Sequence, residues 1–317
     1  MAVYTQVSAE ALGRFLAGYD HGELVSAKGI AEGVENSNYL VDTTTGRFIL
    51  TLYEKRVDLA DLPFFFAMTD ALADAGNPVP RALPDRGGQV IQTLEGRPAC
   101  LIEFLPGVSV SHPTPGQAHA AGAALGALHA GLTDFAPVRV NSMGVAAWPR
   151  LYADCAEQLD TIQPGLRARV GDALDAVIAA WPGELPTGAI HADLFPDNVL
   201  MLGDRVTGLI DFYFACTDIR AYDVAITHSA WSFDAAGTPI DPAVGRALLA
   251  GYATRADLSD AEVAALPLLA RGACLRFLLT RAWDWINTPA DALVTRKDPL
   301  AYLRRLEWYE ANPQAFT

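Results

Sequence analysis

Apolar residues recur along this chain with two different periods, and the change of period divides it in two. Near the start, Leu12, Phe15, Leu16 and Tyr19 follow helical spacing behind Ser8, whose hydroxyl suits an N-cap, and Gly22 ends the run. From Leu24 the period shortens, predicting strands over 24–31, 38–43 and 47–53, the last two joined by the polar turn Thr44-Thr45-Gly46 into an antiparallel meander. Phe65, Met68 and Leu72 mark a helix over 62–75, stopped by Gly76 with Pro78 and Pro80 behind it. Two more strands, 89–94 and 99–104, flank the turn Glu95-Gly96-Arg97. Beyond Leu105-Pro106-Gly107 the pattern turns helical: Ala118, Ala121, Leu125 and Leu128 share one face, and helices are expected over 151–159, 167–180, 244–252, 261–279 and 303–311. The expected architecture is therefore α+β in two lobes: an antiparallel, β-rich lobe over 1–102, a hinge at 103–107, and a mostly helical lobe over 108–317. No internal repeat of fixed period interrupts this plan.

Composition narrows the partners. A formal charge of −14 repels a phosphodiester backbone, and no Lys/Arg-rich stripe overrides it, so nucleic acid is excluded as a partner. A nucleotide is not excluded, because backbone N–H groups, a few basic side chains and bound cations can hold its phosphates locally. Cys100, Cys155, Cys216 and Cys274 lie far apart with no C-x-x-C pair, which predicts reduced core thiols rather than a zinc site or disulfide framework. Residues 1–10 lack a basic segment followed by an apolar one, and no run of about 18 apolar residues occurs. The expectation is a cytoplasmic protein without a membrane partner, monomeric or homodimeric.

One segment carries chemistry. His191-Ala192-Asp193-Leu194-Phe195-Pro196-Asp197-Asn198 is followed by an apolar strand over 206–210 that ends in Asp211-Phe212-Tyr213. An Asp, an Asn five residues on, and a second Asp at the end of a new strand form the order used for phosphoryl transfer. A tight loop can turn Asp193 towards an acceptor hydroxyl and Asn198 towards a metal, while the hairpin delivers Asp211 as a charged second ligand. Hard oxygen donors suit Mg2+ bridging the phosphates of ATP. Asp197 reads as a loop carboxylate, and His191 as a structural group that ties the loop by hydrogen bonds. An acidic surface loop ahead of an ordinary strand would explain fewer of these coincidences.

The segment Ile190–Asn198, with Leu209-Ile210-Asp211-Phe212-Tyr213-Phe214-Ala215, resembles the catalytic and metal loops of the aminoglycoside phosphotransferase and choline kinase superfamily, and in particular its homoserine kinase branch. Further matching segments are Glu35-Asn36-Ser37-Asn38-Tyr39, Leu50-Thr51-Leu52-Tyr53-Glu54-Lys55, Leu62-Pro63-Phe64-Phe65, Phe104-Leu105-Pro106-Gly107, Ala221-Tyr222-Asp223-Val224-Ala225 and Leu275-Arg276-Phe277-Leu278-Leu279-Thr280-Arg281. The resemblance implies a protein-kinase-like two-lobed fold and a magnesium-dependent, ATP-using kinase of threonine biosynthesis, with L-homoserine as acceptor. Residue by residue it implies Asp193 as base and Asn198 and Asp211 as metal ligands. It also implies a phosphate-covering turn from Gly29 through Gly33 to Asn36, and backbone groups of Glu103 and Leu105 facing adenine.

Two departures stand out. The third strand of such kinases carries a Lys or Arg near its middle, but here Thr51 occupies that place, and the nearest cation on the same strand face is Lys55. Lys55 is either a replacement phosphate ligand or a solvated strand end. The helix expected to supply a partnering Glu has Phe64, Phe65 and Phe66 at the matching turn.

A zwitterionic acceptor needs a cation for its carboxylate, preferably an Arg. Arg276 and Arg281, from the late helical segment containing Arg271, are the preferred pair, with Tyr213 as a third candidate acceptor contact. Alternative readings are a related kinase of choline, ethanolamine, a thiosugar or an aminoglycoside, and a catalytically inactive nucleotide-binding regulator. No Ala-Pro-Glu activation segment and no G-x-x-x-x-G-K-[ST] loop occurs, which argues against a protein kinase and a P-loop enzyme.

Overall fold

The computed structural model describes residues 4–30, 36–54, 58–288 and 296–316. Helix α1 (Ala9–Leu16) starts where the Ser8 hydroxyl accepts from the Ala11 amide. Strands β1 (Leu24–Gly29), β2 (Asn36–Thr43) and β3 (Arg47–Tyr53) follow, and then α2 (Leu62–Asp74), entered through a 3-10 turn at Leu59–Asp61. Strands β4 (Ala82–Leu83), β5 (Gln92–Leu94) and β6 (Arg97–Glu103) complete an antiparallel sheet in the order β1-β2-β3-β6-β4, with β5 also on β6.

Register decides what each face of the sheet does. Tyr39 opposes Leu50, which opposes Leu101, so these residues share one face with Val41 and Leu52. Leu12 and Leu16 of α1 pack on that face as a separate core, each contributing roughly 1.5–3 kcal/mol by burial. Asn38, Thr51 and Cys100 line the opposite face, where Tyr53 and Cys100 join Phe65 and Met68 of α2 in the main core.

After β6 the chain crosses at Phe104–Gly107. Gly107 has φ +146°, and a Cβ there would lie 2.4 Å from the Thr207 hydroxyl, so only glycine fits. The next residue, Val108, exchanges both backbone hydrogen bonds with Met201 and fastens the crossover to the second lobe. That lobe contains α3 (Pro115–Gly131), α4 (Trp148–Ala153), α5 (Ala156–Ile162), α6 (Leu166–Ala180), β7 (Thr187–Ile190), β8 (Val199–Leu202), β9 (Arg205–Leu209), β10 (Cys216–Ile219), α7 (Arg220–Trp231), α8 (Pro242–Tyr252), α9 (Asp260–Asn287) and α10 (Leu300–Ala311). All four cysteines are buried and free.

Three of the helical regions differ from expectation for physical reasons. The helix expected over 151–159 is two, α4 and α5, because Trp148 packs on Trp181 and Tyr222 while α5 packs on α6, and the chain turns at Asp154-Cys155 to reach both surfaces. Helix α7 was not expected at all. Every residue from Ala221 to Trp231 is buried, so no polar face remains to betray a helical period. Helix α9 runs on to Asn287 and is long and apolar enough to cross a bilayer, yet 61% of its most apolar window is buried inside the molecule, against α4, α6, α7 and α10.

Helices α3 and α8 approach so closely that glycine is required on both. A Cβ at Gly122 would sit 1.9 Å from the Leu248 carbonyl oxygen, and one at Gly251 would sit 1.9 Å from that of His119. Gly122→Ala is therefore expected to destabilise the protein by about 1–3 kcal/mol through overpacking. Gly13→Ala in α1, where a Cβ meets nothing within 4 Å, is expected to stabilise by roughly 0.5–1 kcal/mol. Thermal denaturation of the two variants checks both signs, and an unchanged Tm for Gly122→Ala would contradict the backbone contact.

Candidate active site

Two loops are brought side by side by the strands that bound them. Ile190 at the end of β7 pairs with Cys216 at the start of β10, and Val199 at the start of β8 pairs with Leu209 at the end of β9. Residues 191–198 and 210–215 therefore share both their boundaries. The Ile210 amide donates to the Asn198 carbonyl at 3.0 Å, closing the gap between them.

His191 stitches the loops from inside. Its Nδ1 accepts from the Asp193 amide at 3.3 Å, which leaves the proton on Nε2, and Nε2 donates to the Ile210 carbonyl at 3.0 Å. Burial depresses its pKa, so the ring serves as a neutral tie.

Beneath the loop lies a buried carboxylate that sequence reasoning did not single out. Asp223 of α7 accepts from the His191 amide at 2.8 Å through Oδ2 and from the Ala192 amide at 2.8 Å through Oδ1. His129 Nε2 lies 3.1 Å from Oδ2, and Tyr252 backs His129 at 2.9 Å. Burial pushes the Asp223 pKa up, but the hydrogen bonds from His129 and the loop amide outweigh it and hold the carboxyl below its ordinary range. The available signal was a lone acid within an apolar run, Ala221-Tyr222-Asp223-Val224-Ala225.

These bonds hold Ala192 in the left-handed region at φ 62°, which costs a non-glycine residue roughly 1–2 kcal/mol. The strained carbonyl is held too. Arg276 of α9, only 2% exposed, donates Nη1 to the Ala192 oxygen, with its guanidinium 4.4 Å from the Phe277 ring centroid and 5.4 Å from that of Phe214. The residue expected to meet an acceptor carboxylate thus grips the loop from below. Trp231 adds a further tie, its indole N–H donating to the Leu194 carbonyl at 3.0 Å.

The result is a half-buried Asp193 at the top of a braced turn. Asn198 Nδ2 donates to the Asp193 carbonyl at 2.8 Å and to its Oδ2 at 3.3 Å, so the side-chain Oδ1 of Asn198 is the atom a cation would take. Asp211 is exposed with φ 65°, at the turn out of β9. Among the described residues no group of three or more His, Cys, Asp or Glu could hold a metal alone. One carboxylate and one amide oxygen fit Mg2+, which keeps several waters and takes phosphate oxygens.

Other expected residues fall into place around this centre. Arg281 is partly buried, with its guanidinium 4.5 Å from the Tyr302 ring centroid; burial lowers its pKa, while Tyr302, Asp193 and Asp197 act to raise it. It is thus a cation whose charge Asp193 and Asp197 both favour. Tyr213 points to the other lobe: its hydroxyl donates to that of Tyr53 at 3.3 Å, and its ring meets Tyr53 and Phe65 edge-on at 5.7 Å each. The Glu103 carboxylate accepts from the Arg81 amide at 3.0 Å, and Leu105 packs beside Gly208. Gly29 ends β1 opposite Tyr39 and is exposed, whereas Asn36 is buried and accepts from the Glu54 amide at 3.4 Å. Gly33 and Lys55 lie outside the described residues. Thr51 is buried and donates to Asn38 at 2.7 Å, so strand β3 presents no cation at that point.

A β-rich lobe and a helical lobe, with Asp193, Asn198 and Asp211 on paired loops, define an ATP-dependent phosphotransferase with a protein-kinase-like fold. The model of the phosphotransferase enzyme family matches residues 26–262, and the chain belongs to that family. Homoserine kinases of Gluconacetobacter diazotrophicus and Methylorubrum populi are each 55% identical to it, covering 98% and 99% of this chain and 97% and 98% of theirs. Among solved structures it is similar to spectinomycin phosphotransferase in complex with ADP and spectinomycin, with TM-score 0.73 at 13% identity over 98% of this chain and 100% of that one. Amicoumacin kinase in complex with AMP-PNP, Ca2+ and amicoumacin gives TM-score 0.70 at 17% identity over 95% and 93%.

Asp193→Asn is expected to lower kcat by about 10²–10⁴-fold while leaving ATP binding largely intact, since it removes a proton acceptor. Asp211→Ala is expected to weaken Mg2+-dependent nucleotide binding as well. Steady-state rates with nucleotide titrations separate the two, and near-wild-type turnover by Asp193→Asn would contradict its role.

Proposed function

We infer that this protein is a homoserine kinase, transferring the γ-phosphoryl group of ATP to the side-chain hydroxyl of L-homoserine to give O-phosphohomoserine, in the route to threonine. The observation that carries this reading is the 55% identity to homoserine kinases over nearly the whole chain. Asp193 takes the hydroxyl proton as the acceptor oxygen forms its bond to phosphorus and the ADP oxygen leaves. Asn198 and Asp211 would hold Mg2+, which would supply charge neutralisation to the phosphates. Residues 1–102 form the nucleotide-binding lobe, 103–107 the hinge and 108–317 the catalytic and acceptor-binding lobe. Cytoplasmic location and a monomer or homodimer complete the proposal.

For the acceptor, Arg281 is the favoured carboxylate ligand, because Arg276 is already engaged with the Ala192 carbonyl. A buried guanidinium is penalised when a ligand leaves it unpaired and rewarded by a carboxylate. L-Homoserine is therefore expected to outperform choline, ethanolamine and homoserinol, and Arg281→Ala is expected to raise the KM for homoserine by about tenfold or more, with a smaller change for ATP. ADP release over this acceptor panel is the test. Faster turnover of choline or an aminoglycoside would reassign the substrate, and no turnover of any hydroxylated acceptor would favour an inactive nucleotide-binding regulator.

A further inference from the structure

The first lobe has no Lys on β3 at Thr51 and no Glu at the Phe64-Phe65-Phe66 turn of α2, and a different ion pair ties the start of α2 to the metal-binding segment. Arg139, in the stretch between α3 and α4, makes that contact. Its Nε and Nη2 each lie 2.7 Å from Asp61 Oδ2, and its Nη1 donates to the Ala215 carbonyl at 2.9 Å. Its guanidinium lies over the Phe65 ring at 5.0 Å, and Phe65 meets Tyr213 edge-on. The Arg139 backbone is itself fixed, donating to the Thr217 hydroxyl at 3.2 Å and accepting from the Thr217 amide at 2.7 Å.

Asp61 stands at the N-cap of α2 but makes no side-chain cap bond. Its carboxylate faces Arg139 instead, giving up the usual stabilisation of a capped helix. The two side chains are only 16% and 31% exposed, so solvent screens the pair less than an open surface bridge. One guanidinium thus spans from the start of α2 to the far end of segment 210–215, in which Asp211 lies.

We propose that Arg139 is a positioning residue for the phosphoryl-transfer reaction. Through its ion pair with Asp61 it sets the metal-binding segment against the nucleotide lobe. The proposal rests on the kinase reading of the site, and wild-type turnover of homoserine, measured first, tests that reading separately.

A double-mutant cycle with Arg139→Gln and Asp61→Asn tests the proposal, with KM for MgATP, KM for homoserine and the Mg2+ concentration for half-maximal rate as readouts. Each single variant is expected to raise the MgATP and Mg2+ values by about five- to twentyfold, with the KM for homoserine within about twofold, and the double variant to be no worse than Arg139→Gln alone. Asp61→Asn keeps the volume and an acceptor oxygen at a partly exposed position, so its kinetics stay measurable if Arg139→Gln folds poorly. Unchanged MgATP and Mg2+ values in Asp61→Asn would overturn the proposal. So would additive effects in the cycle, or a loss of Tm in both single variants with no change in either KM.

Discussion

A single buried carboxylate organises the catalytic half of this protein. Asp223 accepts from two consecutive amides, His191 and Ala192, and so pins the turn that presents Asp193. Without an acceptor side chain there, two buried N–H groups would lack partners, each costing about 1–3 kcal/mol, and Ala192 would lose one restraint on its left-handed conformation. The carboxylate is in turn sustained by His129 and, behind it, Tyr252. A chain of polar groups therefore runs from α8 through α3 and α7 to the catalytic loop. Its members are satisfied by one another within an apolar core, the condition under which buried charge is tolerated.

Around that anchor the loop is gripped on every side by residues far away in sequence. Arg276 holds the Ala192 carbonyl, Trp231 the Leu194 carbonyl, and His191 bridges to Ile210 on the neighbouring loop. Asn198 reaches back to Asp193, so one amide orients both side chains relative to each other. Such bracing supplies pre-organisation, the main contribution a protein can make to phosphoryl transfer. Solved phosphotransferases at 13% and 17% identity share the fold with TM-scores of 0.73 and 0.70, so the framework outlasts most of its side chains.

Local features were legible in the sequence and tertiary ones were not. The meander of β2 and β3 was visible because alternation and a short polar turn are local, and β3 was expected at the same bounds, residues 47–53. Asp193, Asn198 and Asp211 were visible because their order and spacing are set within one loop and one hairpin. Helix α7 was hidden because burial on all sides erases the polar face that marks a helix. Arg276 and Arg281 share a helix, and sequence alone could not separate the one beneath the loop from the one against Tyr302; only the packing of α9 does. Arg139 carried no motif at all, since its meaning lies in Asp61 and Ala215, 78 and 76 residues distant.

Asp223→Asn tests the central claim most directly, because it keeps the side chain's shape while putting an amide where two N–H groups and an imidazole converge. A displaced catalytic aspartate costs about 10²-fold for a shift of 1 Å. The account predicts that kcat for homoserine phosphorylation falls by about that factor or more while the variant remains folded and its KM for MgATP changes little. Wild-type kcat in a folded Asp223→Asn protein would contradict it.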